Sequence, residues 1–177
     1  KPGHEPGIEI RAKYTILGEG CIGHLGKQII NKYNLNDGKD PQHYGIGFKE
    51  VWKLDKNIHE PGLVIHTNGW PTSFDTPAGS YFYHGENNEA YIGYVIPLDY
   101  KNPHLSPFDE FQMWKTHPSI KKYLKGGERI SYGARALIKG GLQSLPKMEF
   151  PGGLLVGDNA GTLNFSKIKG SHTAMKS

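Results

Sequence analysis

The chain of 177 residues has a single cysteine, Cys21. That excludes an internal disulfide framework and any cluster held by four thiolates of this chain. Long apolar runs are also missing, and nothing reaches the length of a bilayer span. Charge of one sign is scarce: 21 basic residues face 17 acidic ones, a formal excess of +4. The densest basic group, Lys121, Lys122 and Lys125, accompanies neither a stripe nor a nucleic-acid reader motif, so it reads as a solvated helix face. The nine histidines show no H-E-x-x-H spacing and no Cys/His zinc pattern, so no metal site is expected. No Ser-His-Asp context is visible, and no base pairs with Cys21, which reads as a packing residue. No signal-peptide pattern opens the chain. It starts at Lys1 without Met and stops at Ser177 inside an expected helix, and so reads as part of a longer protein.

Turn formers are abundant, with 24 Gly and 12 Pro. Hydrophobic residues make up 36% and charged residues 21%, a balance that argues for a folded core rather than disorder. Residues 8–17 read as two short strands or one broken one. After Gly18-Glu19-Gly20 the pattern turns helical, with Ile22, Leu25, Ile29, Ile30 and Tyr33 on one face and Asn34 as the stop. Strand candidates follow at 44–54, 62–70, 79–84 and 89–97, with a hairpin turn at Gly85–Asn88. Strands this closely spaced, without helices between them, read as an antiparallel sheet. Ser106 then suits an N-cap, Pro107 the first helical position and Asp109 the capping-box position. Phe108, Phe111 and Trp114 form its expected buried stripe. A second helix should follow Pro118, burying Ile120, Tyr123 and Leu124 and ending at Gly126-Gly127. A strand is expected at 128–135.

The most informative stretch is 151–174. An apolar strand (Leu154, Leu155, Val156) ends at Gly157-Asp158, a Gly-rich turn follows, and a helix start is expected at Ile168–Thr173. A strand that stops at an acidic residue beside a helix N-terminus is one way α/β proteins hold a dinucleotide. An ordinary strand–turn–helix with an Asp cap has the same spacing. Strand–helix, then a meander with two helices, then strand–turn–helix, reads as a substrate domain inserted in a nucleotide-binding domain.

Several strings resemble the electron transfer flavoprotein–ubiquinone oxidoreductase family over nearly the whole chain. They are ILGEGCIGHLGKQ (16–28), YGIGFKEVW (44–52), HTNGWP (66–71), DYKNPHLSPFDEFQMWKTHPSI (99–120), ERISYGARALIKGGLQSLPKMEFPGGLLVGD (128–158) and KIKGSHTAMKS (167–177). The resemblance implies an α+β fold: an antiparallel sheet with flanking helices, the quinone-binding domain, inserted in a partial FAD-binding α/β domain. Residues 1–35 and 151–177 would belong to the FAD domain and 36–150 to the ubiquinone domain. It implies FAD contacts at Glu19, Gly20, Gly157, Asp158, Ala160, Gly161, Asn164, Gly170 and Thr173. Ubiquinone contacts are implied at Ala78, Gly79 and Ser80, with Ala78 standing where the family usually has a second Gly. Ser166 stands where related flavoproteins often have Pro. Tyr132–Arg135 and Gly140–Gln143 would be strands crossing between the domains, with a buried Arg135 in need of partners.

The implied activity passes electrons from reduced electron transfer flavoprotein, through a 4Fe-4S cluster and FAD, to ubiquinone. The cluster's cysteines are not in this chain. The family sits peripherally on membranes: the matrix face of the mitochondrial inner membrane, or the bacterial cytoplasmic membrane. The segment 108–125 could touch that interface. A related FAD-dependent hydroxylase or prenyl reductase is the alternative, as is an isolated quinone- or lipid-binding module without activity.

Overall fold

The computed structural model describes residues 2–165 and 170–177. Ser166, and the first residues of the helix expected from Ile168, lie outside them. The elements in chain order are β1 (Thr15–Leu17), α1 (His24–Tyr33), β2 (Tyr44–Lys53), β3 (Val64–Asn68), β4 (Gly79–His84) and β5 (Glu89–Pro97). These are followed by α2 (Pro107–Trp114), α3 (Pro118–Leu124), β6 (Glu128–Ile138), β7 (Glu149–Phe150), β8 (Gly153–Leu155) and α4 (Ser171–Lys176).

Two sheets result. The larger is antiparallel, in the order β3-β4-β5-β2-β6. The smaller has the order β1-β8-β7, with β1 and β8 parallel. The fold is thus α+β, as expected. Glu149-Phe150 hydrogen bonds with β8, so the chain re-enters the small sheet before residue 151.

Side chains alternate between the faces of a strand. One face of the large sheet presents Phe82, Ile92, Tyr94 and Ile96 to Phe111, Trp114, Ile120 and Tyr123 of α2 and α3. Phe82, Ile92 and Ile96 have no exposed area at all. Burying that much aromatic and aliphatic surface is the main drive for this unit. Trp114 Nε1 donates to Thr67 Oγ1 at 2.9 Å, fixing α2 against β3. Ser106 accepts from the Asp109 amide at 3.3 Å with Pro107 behind it, so α2 begins as the sequence indicates. Phe108, however, is half exposed, because it lies off the stripe that faces the sheet.

A smaller core of Leu17, Leu35, Leu155 and Ala160 joins β1, β8 and the end of α1. Asn34, in the left-handed region, ends α1. Only the second half of the expected α1 face is covered: Ile29, Ile30 and Tyr33 pack on this core, while Ile22 and Leu25 are exposed. Residues 8–14 form no strand; Ile8, Ile10 and Tyr14 stand in solvent with no partner strand among the described residues. Residues 142–144 are a short 3-10 turn rather than a crossing strand. β6 instead runs three residues beyond its expected end at 135, because it pairs along the whole of β2.

Candidate active-site cleft

The uncovered face of the large sheet is built from the alternate residues. Asn68, Gly79, Val95, Gly47 and Arg135 form one cross-strand row. His66, Tyr81, Gly93, Lys49 and Gly133 form the next. Glycine therefore recurs where the opposite face carries bulk. Above these rows lies a cleft of about 1240 Å³, closed on its far side by Asp158, Thr162, Leu163, His172 and Met175. Tyr81, Tyr83 and Tyr91 line its β4–β5 side, Lys49 and Arg135 its β2–β6 side.

The segment after β8 is held by short contacts. Gly157 has φ +60, and its carbonyl accepts from the amides of Ala160, Gly161 and Thr162. That tight turn puts Asp158 at the cleft edge. Its carboxylate accepts from the Ile138 amide at 3.3 Å, joining the turn to the end of β6. Burial pushes the Asp158 carboxyl above its ordinary range, and the Ile138 amide opposes this. Gly161 has φ +91 and sits against Ile138, where a side chain would collide. Ala160 is buried in the small core, and Gly170 lines the cleft next to Leu163. Thr173 donates its hydroxyl to the Gly170 carbonyl at 2.8 Å, closing the first turn of α4. Asn164 is exposed.

Glu19 serves a different purpose. Its carboxylate accepts from the Gly26 amide at 2.7 Å and the Leu25 amide at 3.2 Å, so it caps α1 in place of a local cap. The Gly26 amide in particular holds this carboxyl below its ordinary range. Gly20, φ +78, makes the turn that brings Glu19 there. Cys21 sits near Asp158; burial first, then the Asp158 charge, push its thiol up, away from a reactive thiolate.

At the other end, Ala78 and Ser80 are buried on the helix side of β4, with Ser80 and Thr67 sharing a hydrogen bond. Gly79 falls between them on the cleft face, in register with Val95. Arg135, expected to be buried if it worked as an ion-pair residue, is exposed at the cleft wall and has no salt bridge among the described residues. The buried ion pair lies behind the cleft floor instead. Glu50, 3% exposed, accepts from Lys115 at 2.9 Å, Arg129 at 3.3 Å and Trp52 Nε1 at 2.7 Å. Sequence reasoning passed over Lys49 and Gly93. Their signal was the alternation in Tyr44-Gly45-Ile46-Gly47-Phe48 and Tyr91-Ile92-Gly93, where glycine falls on one face of a strand.

Among the described residues there is no group of three or more His, Cys, Asp or Glu that could hold a metal ion. Among the described residues, no helix is long and apolar enough to cross a membrane.

A five-stranded antiparallel sheet with a glycine-rich inner face, joined to a small β unit that ends in Gly-Asp, defines an α+β module. The same fold occurs in the flavin-dependent brominase Bmp2, with a TM-score of 0.59 at 20% identity over 97% of this chain and 42% of that one. A flavoprotein/dehydrogenase from Cytophaga hutchinsonii aligns with a TM-score of 0.52 at 14% identity, over 92% of this chain and 38% of the other. Those likenesses concern the fold alone. Residues 44–137, from the start of β2 almost to the end of β6, match the family described as ETF-QO, ubiquinone-binding, and the chain belongs to that family. It is 63% identical over 174 residues to the electron transfer flavoprotein-ubiquinone oxidoreductase of Pseudomonas aeruginosa, covering 98% of this chain and 32% of that protein. It is 56% identical over 175 residues to the mitochondrial enzyme of that name from Sus scrofa, covering 98% of this chain and 28% of the relative. The chain thus spans about a third of the length of these relatives.

Proposed function

We propose that this chain is the quinone-facing portion of an FAD and iron–sulfur oxidoreductase that passes electrons from reduced electron transfer flavoprotein to ubiquinone. The observation that carries this reading is a coincidence in space. The residues matched to the ubiquinone-binding family are the strands that floor the cleft, and the Gly157-Asp158 turn closes it.

The residues present suit the ring end of FAD. A positive-φ glycine turn lets backbone approach a flat ring, and Asp158 offers acceptors to sugar-type hydroxyls. Asp158, with Gly157, Ala160, Gly161, Asn164, Gly170 and Thr173 around it, would form this edge of the flavin site. Glu19 and Gly20 support it by fixing α1. When bound, FAD supplies the exchange of one or two electrons. The 4Fe-4S cluster draws no ligand set from a chain with one cysteine. Residues 1–35 and 151–177 would belong to the FAD domain and 36–150 to the quinone domain.

Ubiquinone would enter at the Gly79 end of the sheet. Gly79 offers a bare surface there, while Ala78 and Ser80, with buried side chains, shape its backbone. Half-exposed Phe108 and Met113 on α2, and exposed Lys121, Lys122 and Lys125 on and just after α3, suit peripheral contact with a membrane surface. The setting is the matrix face of the mitochondrial inner membrane or the bacterial cytoplasmic membrane.

The test uses the full-length protein. It should purify with a flavin absorbance spectrum and reduce a short-chain ubiquinone when supplied with reduced electron transfer flavoprotein. A full-length protein that carries flavin but hydroxylates an aromatic substrate, and leaves ubiquinone oxidised, would overturn this reading.

A further inference from the structure

The wall of the cleft holds one phenol that its neighbours fix in place. The ring of Tyr81 lies flat across Gly93, so close that ring and hydroxyl atoms occupy the space of any side chain there. Gly93 is thus a requirement of Tyr81 rather than of the strand. On its other side Tyr81 stacks on Tyr83, with ring centroids 4.7 Å apart. Tyr83 is itself tied to His66 Nε2 at 2.9 Å. The phenol of Tyr81 is held from both sides, at the cleft wall.

The two hydroxyls nevertheless differ. That of Tyr83 is engaged by His66. That of Tyr81 makes no hydrogen bond to a described residue, although the ring is largely covered. Burial pushes its pKa up to about 12, so it keeps its proton at any physiological pH. A fixed, protonated phenol on the wall of the open cleft, with no hydrogen-bond partner among the described residues, is a donor available to a bound acceptor. Gly79, two residues earlier, shares its face. A flat ring seated on the Gly79–Gly47 row would present its edge to Tyr81.

We propose that Tyr81 is a specificity-determining residue of the quinone site, donating its hydroxyl hydrogen bond to a ring carbonyl of ubiquinone. This rests on the quinone reading given above. Such a bond polarises the carbonyl and selects rings that carry an acceptor at that edge.

The test compares Tyr81→Phe and Tyr14→Phe in the full-length, cofactor-loaded protein. Tyr81→Phe keeps the ring over Gly93 and removes only the oxygen. It should raise the KM for a short-chain ubiquinone about tenfold, the usual effect of one lost hydrogen bond. It should also move the infrared stretch of a carbonyl-labelled bound ubiquinone to higher frequency. Tyr14→Phe should change neither, because Tyr14 stands in solvent outside both sheets. An unchanged KM and stretch in Tyr81→Phe overturn the assignment, as does an equal effect of Tyr14→Phe. A shift of the flavin spectrum without a change in KM also overturns it, because the hydroxyl would then face the other ring. Wild-type protein that neither binds nor reduces ubiquinone overturns the quinone reading itself, and this assignment with it.

Discussion

The two faces of the five-stranded sheet are made by the same strands and have opposite compositions. Toward α2 and α3 the strands place Phe48, Phe82, Ile92, Tyr94 and Ile96. Toward the cleft they place Gly45, Gly47, Gly79, Gly93 and Gly133, with Tyr81 and Arg135 between them. One face gains free energy by filling space; the other keeps space free. Stability and site are thus interleaved residue by residue, and a shift of register by one would exchange them.

That contrast can be broken most severely on the filled face. Trp114→Ala should cost about 3–5 kcal/mol, from lost burial and the cavity left behind, measured by denaturant unfolding. Glu50→Ala, on the same face, should cost about 3 kcal/mol, since Lys115 would be left buried without its partner. The cleft face should respond in stages. Gly93→Ala forces Tyr81 from its place and should cost about 1–3 kcal/mol, accompanied by weaker ubiquinone turnover in the full-length protein. Gly47→Ala has room, with Leu137 and Val95 at ordinary contact distance. Its stability should stay within about 1 kcal/mol of wild type, while flavin or quinone occupancy falls because the floor is raised. A large stability loss in Gly47→Ala would show that the two faces are not separable in this way.

The smallest effect should carry the opposite sign. Burial raises the Asp158 carboxyl above its ordinary 3.8. The unfolded chain therefore releases that proton first, and stability declines as pH rises through 3.8 toward the folded value. Asp158→Asn removes this penalty. Its Tm should exceed wild type slightly at neutral pH and match it well below pH 3.8, even as flavin retention by the full-length protein drops. Equal melting temperatures across the pH range would mean that the carboxylate carries no such penalty.

Much of the filled face was legible in sequence. The strands at 79–84 and 89–97 fall where their β-branched and aromatic residues put them, and the start of α2 is set by Ser106 and Pro107. These are local signals. What escaped was non-local. Nothing near residues 8–14 shows that they lack a strand partner, and the extension of β6 depends on β2, some eighty residues away in the chain. The cleft face was the least readable. Glycine in a strand ordinarily reads as a weak point or a bulge, and its meaning here appears only once β4, β5, β2 and β6 lie side by side. The turn at Gly157-Asp158 was legible because a strand ending at an acidic residue is a local pattern. The seat of Tyr81 was not legible because its partner is the absence of a side chain at Gly93.

One small contact sets the order in which this architecture can be assembled. Asn159 donates to the Leu17 carbonyl at 3.1 Å across a separation of 142 residues, and its side chain fills the notch left by Gly23 and Gly26. Closing so long a loop is entropically unfavourable unless the intervening chain is already compact. The proposed flavin edge would therefore form late, once the sheet is in place. A lesion deep under α2, far from any flavin atom, should first announce itself as slow or incomplete cofactor loading.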